Sequence, residues 1–90
     1  MSKEKAVLTV TGRDDVGILA TAATCCAEAN ASVIEMTQSV KQDFFTMMMV
    51  ISIDDMSCSI DELQTTIQQK LETMDVHVMH ENIFNSMHRI

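Results

Sequence analysis

The stretch from Phe44 to Asp54, FFTMMMVISID, has the residue types of a β-strand, yet it carries apolar side chains on both alternating sets. Phe45, Met47, Met49, Ile51 and Ile53 fall on one face and Phe44, Met48 and Val50 on the other. A sheet with one face in water alternates more cleanly, so any sheet built around this strand needs cover on both sides. Helices are expected on one side, and a second protomer is expected to cover the other.

The flanking segments supply those helices. Ala6 to Thr11 (AVLTVT) reads as a strand that stops at the polar turn Gly12-Arg13-Asp14-Asp15-Val16-Gly17, which provides punctuation and a helix N-cap. From Ile18 to Asn30, Leu19, Ala22, Ala23, Cys26 and Ala27 recur at helical spacing. Ala31 to Lys41 is extended and is joined to Phe44 by Gln42-Asp43, short enough for a hairpin. Ile60, Leu63, Ile67, Leu71 and Met74 form a second helical stripe, and Ser59 with Glu62 gives a capping-box pattern at its start, so a helix is expected from Ile60 to Met74. Val76 to Glu81 reads as a last strand. The tail 82–90 is expected to pack on the domain through Ile83, Phe84, Met87 and Ile90. The order β-α-β-β-α-β, with no Pro and no linker, predicts one α+β domain over residues 1–90, a four-stranded antiparallel sheet with two helices on one face.

Composition narrows the function classes. Ninety residues suit one core, and with three Phe and no Trp or Tyr that core must be aliphatic and Met-rich. The formal charge of -7 and the absence of a basic stripe argue against nucleic acid as a partner. The three Cys include the adjacent pair Cys25 and Cys26 without CxxC spacing, which favours reduced thiols over a disulfide framework or zinc knuckle. No apolar run reaches the roughly 20 residues of a membrane span, and no signal-peptide core follows MSKEK, so a cytoplasmic protein is expected.

The turn between the first strand and first helix is the candidate site. The opening N–H groups of a helix lack intrahelical acceptors and lie at its positive end, where a carboxylate is well received. Gly17 lets a ligand approach the backbone, and Gly12 gives the turn its freedom. The alternative for Asp14 and Asp15 is plain helix capping, and for Gly17 close packing.

The segment TGRDDVGILATAATCCAEANASVIEMTQSV resembles the opening of ACT domains, in which a D-x-P/V-G-I/L turn follows the first strand and a G/N-x-N-I segment begins the second. FFTMMMV and the closing HENIFNSMHRI are similar to small free-standing bacterial and archaeal members of that family. The resemblance implies a ferredoxin-like fold and a regulatory dimer that binds an amino acid between subunits, signalling through a partner protein. Carried over by position, it nominates Gly12, Asp14, Gly17 and Ile18 in the turn, and Ser32 and Val33 on the second strand, as ligand-binding residues. Two departures bear on the ligand. Asp14 stands where amino-acid-binding ACT domains often have Asn, which suits an ammonium and opposes an anion. Ser32 replaces the second Asn of the strand-opening segment with a shorter side chain.

Other constellations are weaker. His77 and His80 have HxxH spacing, but on a strand they point to opposite faces and cannot share an ion, and His88 would join them only through folding or dimerisation. Cys25 and Cys26 lack a neighbouring base, so neither is a candidate nucleophile. No triad, paired-carboxylate or P-loop pattern is present, and the acidic loop around Arg13 is unsuited to a phosphorylated substrate, so no enzymatic activity and no cofactor are expected. The alternative to a ligand sensor is a ligand-free oligomerisation or adaptor module.

Overall fold

The computed structural model describes residues 4–87. His88 and Ile90, and with them the end of the tail, lie outside the described residues. The elements are β1 (Lys5–Arg13), α1 (Ile18–Glu28), β2 (Ser32–Lys41), β3 (Phe44–Ser52), α2 (Ile60–Lys70), β4 (Asp75–His80) and α3 (Glu81–Met87). All strand pairs are antiparallel, in the order β2-β3-β1-β4. This is the ferredoxin-like arrangement expected from the order of the elements, with a third, short helix added.

One face of the sheet forms the core. Ala6, Leu8 and Val10 of β1, Phe45, Met47, Met49 and Ile51 of β3, and Val76 and Val78 of β4 are buried against Ile18, Ala22, Cys25 and Cys26 of α1 and Leu63 and Ile67 of α2. Met47 and Met49 fill the space that aromatic rings occupy in other cores, as their flexible thioethers allow.

Local chemistry sets the element ends. Gln42 and Asp43 both adopt positive φ (50° and 68°), the geometry that two-residue hairpins require, although neither is Gly. The first helix ends at Glu28, short of the expected Asn30, in a Schellman motif: Asn30 has φ 63°, its N–H donates to the Ala27 carbonyl, and the Ala31 N–H donates to Cys26. At the start of α2 the capping box is present, with Ser59 Oγ accepting the Glu62 N–H and Glu62 Oε1 accepting the Ser59 N–H. These bonds favour the ionised carboxylate and hold the Glu62 pKa below its usual value. The helix stops at Lys70, not at Met74, because the Gln68 amide takes over the carbonyls of Leu71 and Met74 and turns the chain into β4.

The opposite sheet face is partly covered by the chain itself. Glu81 opens α3 instead of extending β4, and the Asn82 N–H donates to Nδ1 of His80, which satisfies one of the helix's first free donors. Nε2 of His80 faces the Glu4 carboxylate. α3 then lies on β1 and β4, and Val7, which points away from the main core, is buried there. The cover expected from a second protomer is therefore supplied, over β1 and β4, by α3; Phe44 and Met48 on β3 stay exposed.

Candidate functional site

The turn from β1 to α1 is built around two glycines with different roles. Gly12 has φ 151°, and a Cβ placed there would lie 2.9 Å from Sδ of Met74. Gly12, read from the sequence as giving the turn its freedom, thus also leaves room for the Met74 side chain in the segment before β4. Gly17 has φ 82° and nothing within 4 Å of its would-be Cβ. It occupies the N-cap position of α1 in the left-handed region, which glycine tolerates without steric cost.

The N-terminus of α1 has no side-chain cap. The expected capping by Asp14 or Asp15 does not occur: Asp15 Oδ1 accepts the neighbouring Val16 N–H at 2.7 Å, and the Asp14 N–H donates to the Asp43 carbonyl at 2.7 Å, tying the turn to the β2–β3 hairpin. The first bond within the helix runs from the Thr21 N–H to Gly17, so the N–H groups of Ile18, Leu19 and Ala20 precede the intrahelical ladder. Asp14, Asp15 and Gly17 are exposed, and Val16 is 97% exposed, whereas Ile18 is buried and anchors the helix start in the core. Donors at the positive end of a helix beside two exposed carboxylates can receive both groups of a zwitterion, the carboxylate on the N–H groups and the ammonium on Asp14.

Ser32 and Val33 are not brought to this turn within one chain. Ser32 pairs with Ser52, while Gly12 sits beside Phe45, so the length of β3 between them, roughly 24 Å at about 3.4 Å per residue, separates the two halves of the nominated site. It is the other end of β2, at Val40 and Lys41, that lies near the turn.

The two edges of the sheet differ in a way the sequence did not disclose. Along β4, Gln64 Oε1 accepts the Val78 N–H at 2.8 Å and Gln68 Oε1 accepts the Val76 N–H at 3.2 Å, so α2 closes that edge. Along β2 every residue from Ser32 to Lys41 is exposed, including Val33, Ile34, Met36 and Val40, and a bulge lies between Val33 and Glu35. The spacing of Gln64 and Gln68 on one helix face was the only available signal, and it acquires meaning only once α2 is known to border β4.

His77 pairs with Thr9 and His80 with Ala6, which places the two rings on opposite faces of β4. Cys25 and Cys26 are buried, and burial raises both thiol pKa values, that of Cys26 to about 11. Cys58 is partly buried. No helix of the described residues is long and apolar enough to cross a membrane.

Fold and turn together define a ferredoxin-like α+β domain with an open helix terminus at the end of its first strand. The ACT domain family matches residues 4–81. The chain is 39% identical to the UPF0237 protein of Listeria innocua over 96% of its length and 99% of the relative's. Among solved structures, the ACT domain protein from Streptococcus pneumoniae is similar with a TM-score of 0.75 at 29% identity, covering 92% of this chain and 96% of that one. A formyltetrahydrofolate deformylase from Pseudomonas syringae pv. tomato shares the fold with a TM-score of 0.76 at 22% identity, covering 89% of this chain and 28% of that one. The chain belongs to the ACT domain family, whose members are typically small-molecule-binding regulatory modules rather than enzymes.

Proposed function

We propose that this chain is a cytoplasmic amino-acid sensor that works as a homodimer joined along β2 and signals through a partner protein. The observation that carries the reading is the asymmetry of the sheet: one edge is closed by Gln64 and Gln68, and the other presents ten exposed residues with an apolar stripe. An unguarded edge strand of that length is a template for pairing. A twofold antiparallel pairing of β2 centred between Met36 and Thr37 sets the partner's Ser32 opposite Lys41, beside the hairpin that holds Asp14. The nominated residues, far apart in one chain, then come together between two.

In this arrangement Gly17 and the first N–H groups of α1 bind the ligand carboxylate, Asp14 holds its ammonium, and Ser32 and Val33 of the partner subunit close the site. Thermal-shift measurements against a panel of amino acids test it. A ligand that binds only the folded state stabilises it by about 2.7 kcal/mol at 100 times its Kd. A shift lost in Asp14→Ala supports the sensor, and no shift across the panel favours a ligand-free adaptor.

A further inference from the structure

Among the described residues, the sheet face opposite α1 and α2 is only partly covered. Beyond Phe84 of α3, a cleft of about 370 Å³ lies over Thr9 and Thr11 of β1, Thr37 and Ser39 of β2, and Thr46 and Met48 of β3. The strand register orders its floor. One row of the floor is Thr9, Met48 and Thr37, and the next is Thr11, Thr46 and Ser39; His77 and Asp75 continue these rows onto β4, and outside the lining, one row further towards the hairpin, lie Arg13, Phe44 and Lys41. Threonines are common on strands, so the hydroxyls alone indicate nothing. Three further features do. Among the described residues, none of the cleft hydroxyls is used in a side-chain hydrogen bond, and neither Arg13 nor Lys41 has an ion-pair partner. Met48 and Phe44 are apolar and exposed within the same surface. The volume is within the range of about 300–1,000 Å³ usual for small-molecule sites.

From these features we infer that this open face binds a small organic monocarboxylate, its apolar body on Met48, the threonine methyls and Phe84, and its carboxylate drawn to Arg13 and Lys41. The acidic groups on the same face are Glu35, one row beyond Thr37 and three rows from Lys41, and Asp75 in the second row, with Asp43 and Asp14 at the hairpin end. Asp75 borders β4, across the sheet from Lys41. The chain's overall negative charge acts weakly here, since charges more than about 8 Å apart are screened at physiological salt. The cleft lies on the other side of the sheet from the start of α1, whereas Arg13 and Lys41 border the turn, so shifts at Met48, Thr9, Thr37 and Thr46 are what separate this site from the amino-acid site.

The test is an NMR titration of the full chain, read at the Met48 methyl and at the amides of Thr9, Thr37 and Thr46, with 3-phenylpropionate and its neutral amide as probes. Saturable shifts at these groups are expected with the acid, about fivefold weaker binding with the amide, and a similar loss for the acid in Arg13→Gln/Lys41→Gln. Equal binding of acid and amide, undiminished binding to the double variant, shifts confined to Val16 to Ala20, or no saturation would each overturn the inference. So would sedimentation of Met48→Lys at half the wild-type mass, which would assign the face to a second copy.

Discussion

Met74 takes the place that a side chain at Gly12 would fill, with its sulfur 2.9 Å from the position of the missing Cβ. The contact joins the end of β1 to the segment that leads into β4, and it makes Gly12 a packing residue although it sits within the candidate site.

Gly12→Ala should therefore destabilise the fold, by about 2–4 kcal/mol from backbone strain and overpacking together. Urea denaturation of Gly12→Ala, Met74→Ala and the double variant measures it. Met74 is buried, so Met74→Ala is destabilising alone, but the two losses should be less than additive, because without the thioether Gly12→Ala keeps only its φ strain.

Gly17→Ala meets open space, so only the left-handed backbone opposes it, at a cost of about 1–2 kcal/mol. Gly17→Asn should cost less, since Asn tolerates that region. Thermal denaturation of the two variants should rank them in this order, with the far-UV spectrum unchanged.

Gln68→Leu removes the acceptor of the Val76 N–H and the donor that holds the carbonyls of Leu71 and Met74. Leaving such partly buried groups unpaired should cost about 1–3 kcal/mol. The β4 edge also opens, so size-exclusion chromatography should show species larger than the wild-type assembly.

Burial and raised pKa values make Cys25 and Cys26 poor thiolates near neutral pH. Iodoacetamide at pH 8 should modify Cys58 first in the native protein, and all three thiols only after denaturation, as read by mass spectrometry.

The capping box adds a pH dependence whose sign follows from Glu62. Its pKa is lowered in the folded state, so its contribution is present above the ordinary glutamate value and is lost as pH falls through the folded value. Ser59→Ala removes only the Oγ that accepts the Glu62 N–H and keeps the backbone N–H that donates to the carboxylate, so its cost of about 1 kcal/mol is that of the lost side-chain cap. Glu62→Gln removes the charge that the Ser59 N–H favours, and melting curves from pH 7 to 3 should show the difference between wild type and Glu62→Gln shrinking towards the acid end.

The core was legible in the sequence because it rests on short-range periodicity: the alternation in Phe44 to Ile53 and the stripe at Ile60, Leu63 and Ile67 need only local geometry. The capping box was legible for the same reason. The role of Gly12 was not, because it depends on Met74, remote in sequence. The closed β4 edge and open β2 edge were hidden until strand order was known. The distance of Ser32 and Val33 from the turn also follows from register, which a list of elements does not contain. The end of β4 was misplaced because His80 supplies a ring nitrogen to the first turn of α3, a cap outside the usual Ser, Thr, Asp and Asn set.

Pairing along β2 is tested most directly by sedimentation of the wild type, Met36→Lys and Met48→Lys at micromolar concentration. The expected result is a wild type of twice the 10.0 kDa chain mass, a Met48→Lys variant of the same size, and a monomeric Met36→Lys. A monomeric wild type, or a dimer that survives Met36→Lys, would contradict the β2 dimer and with it the proposed two-chain site.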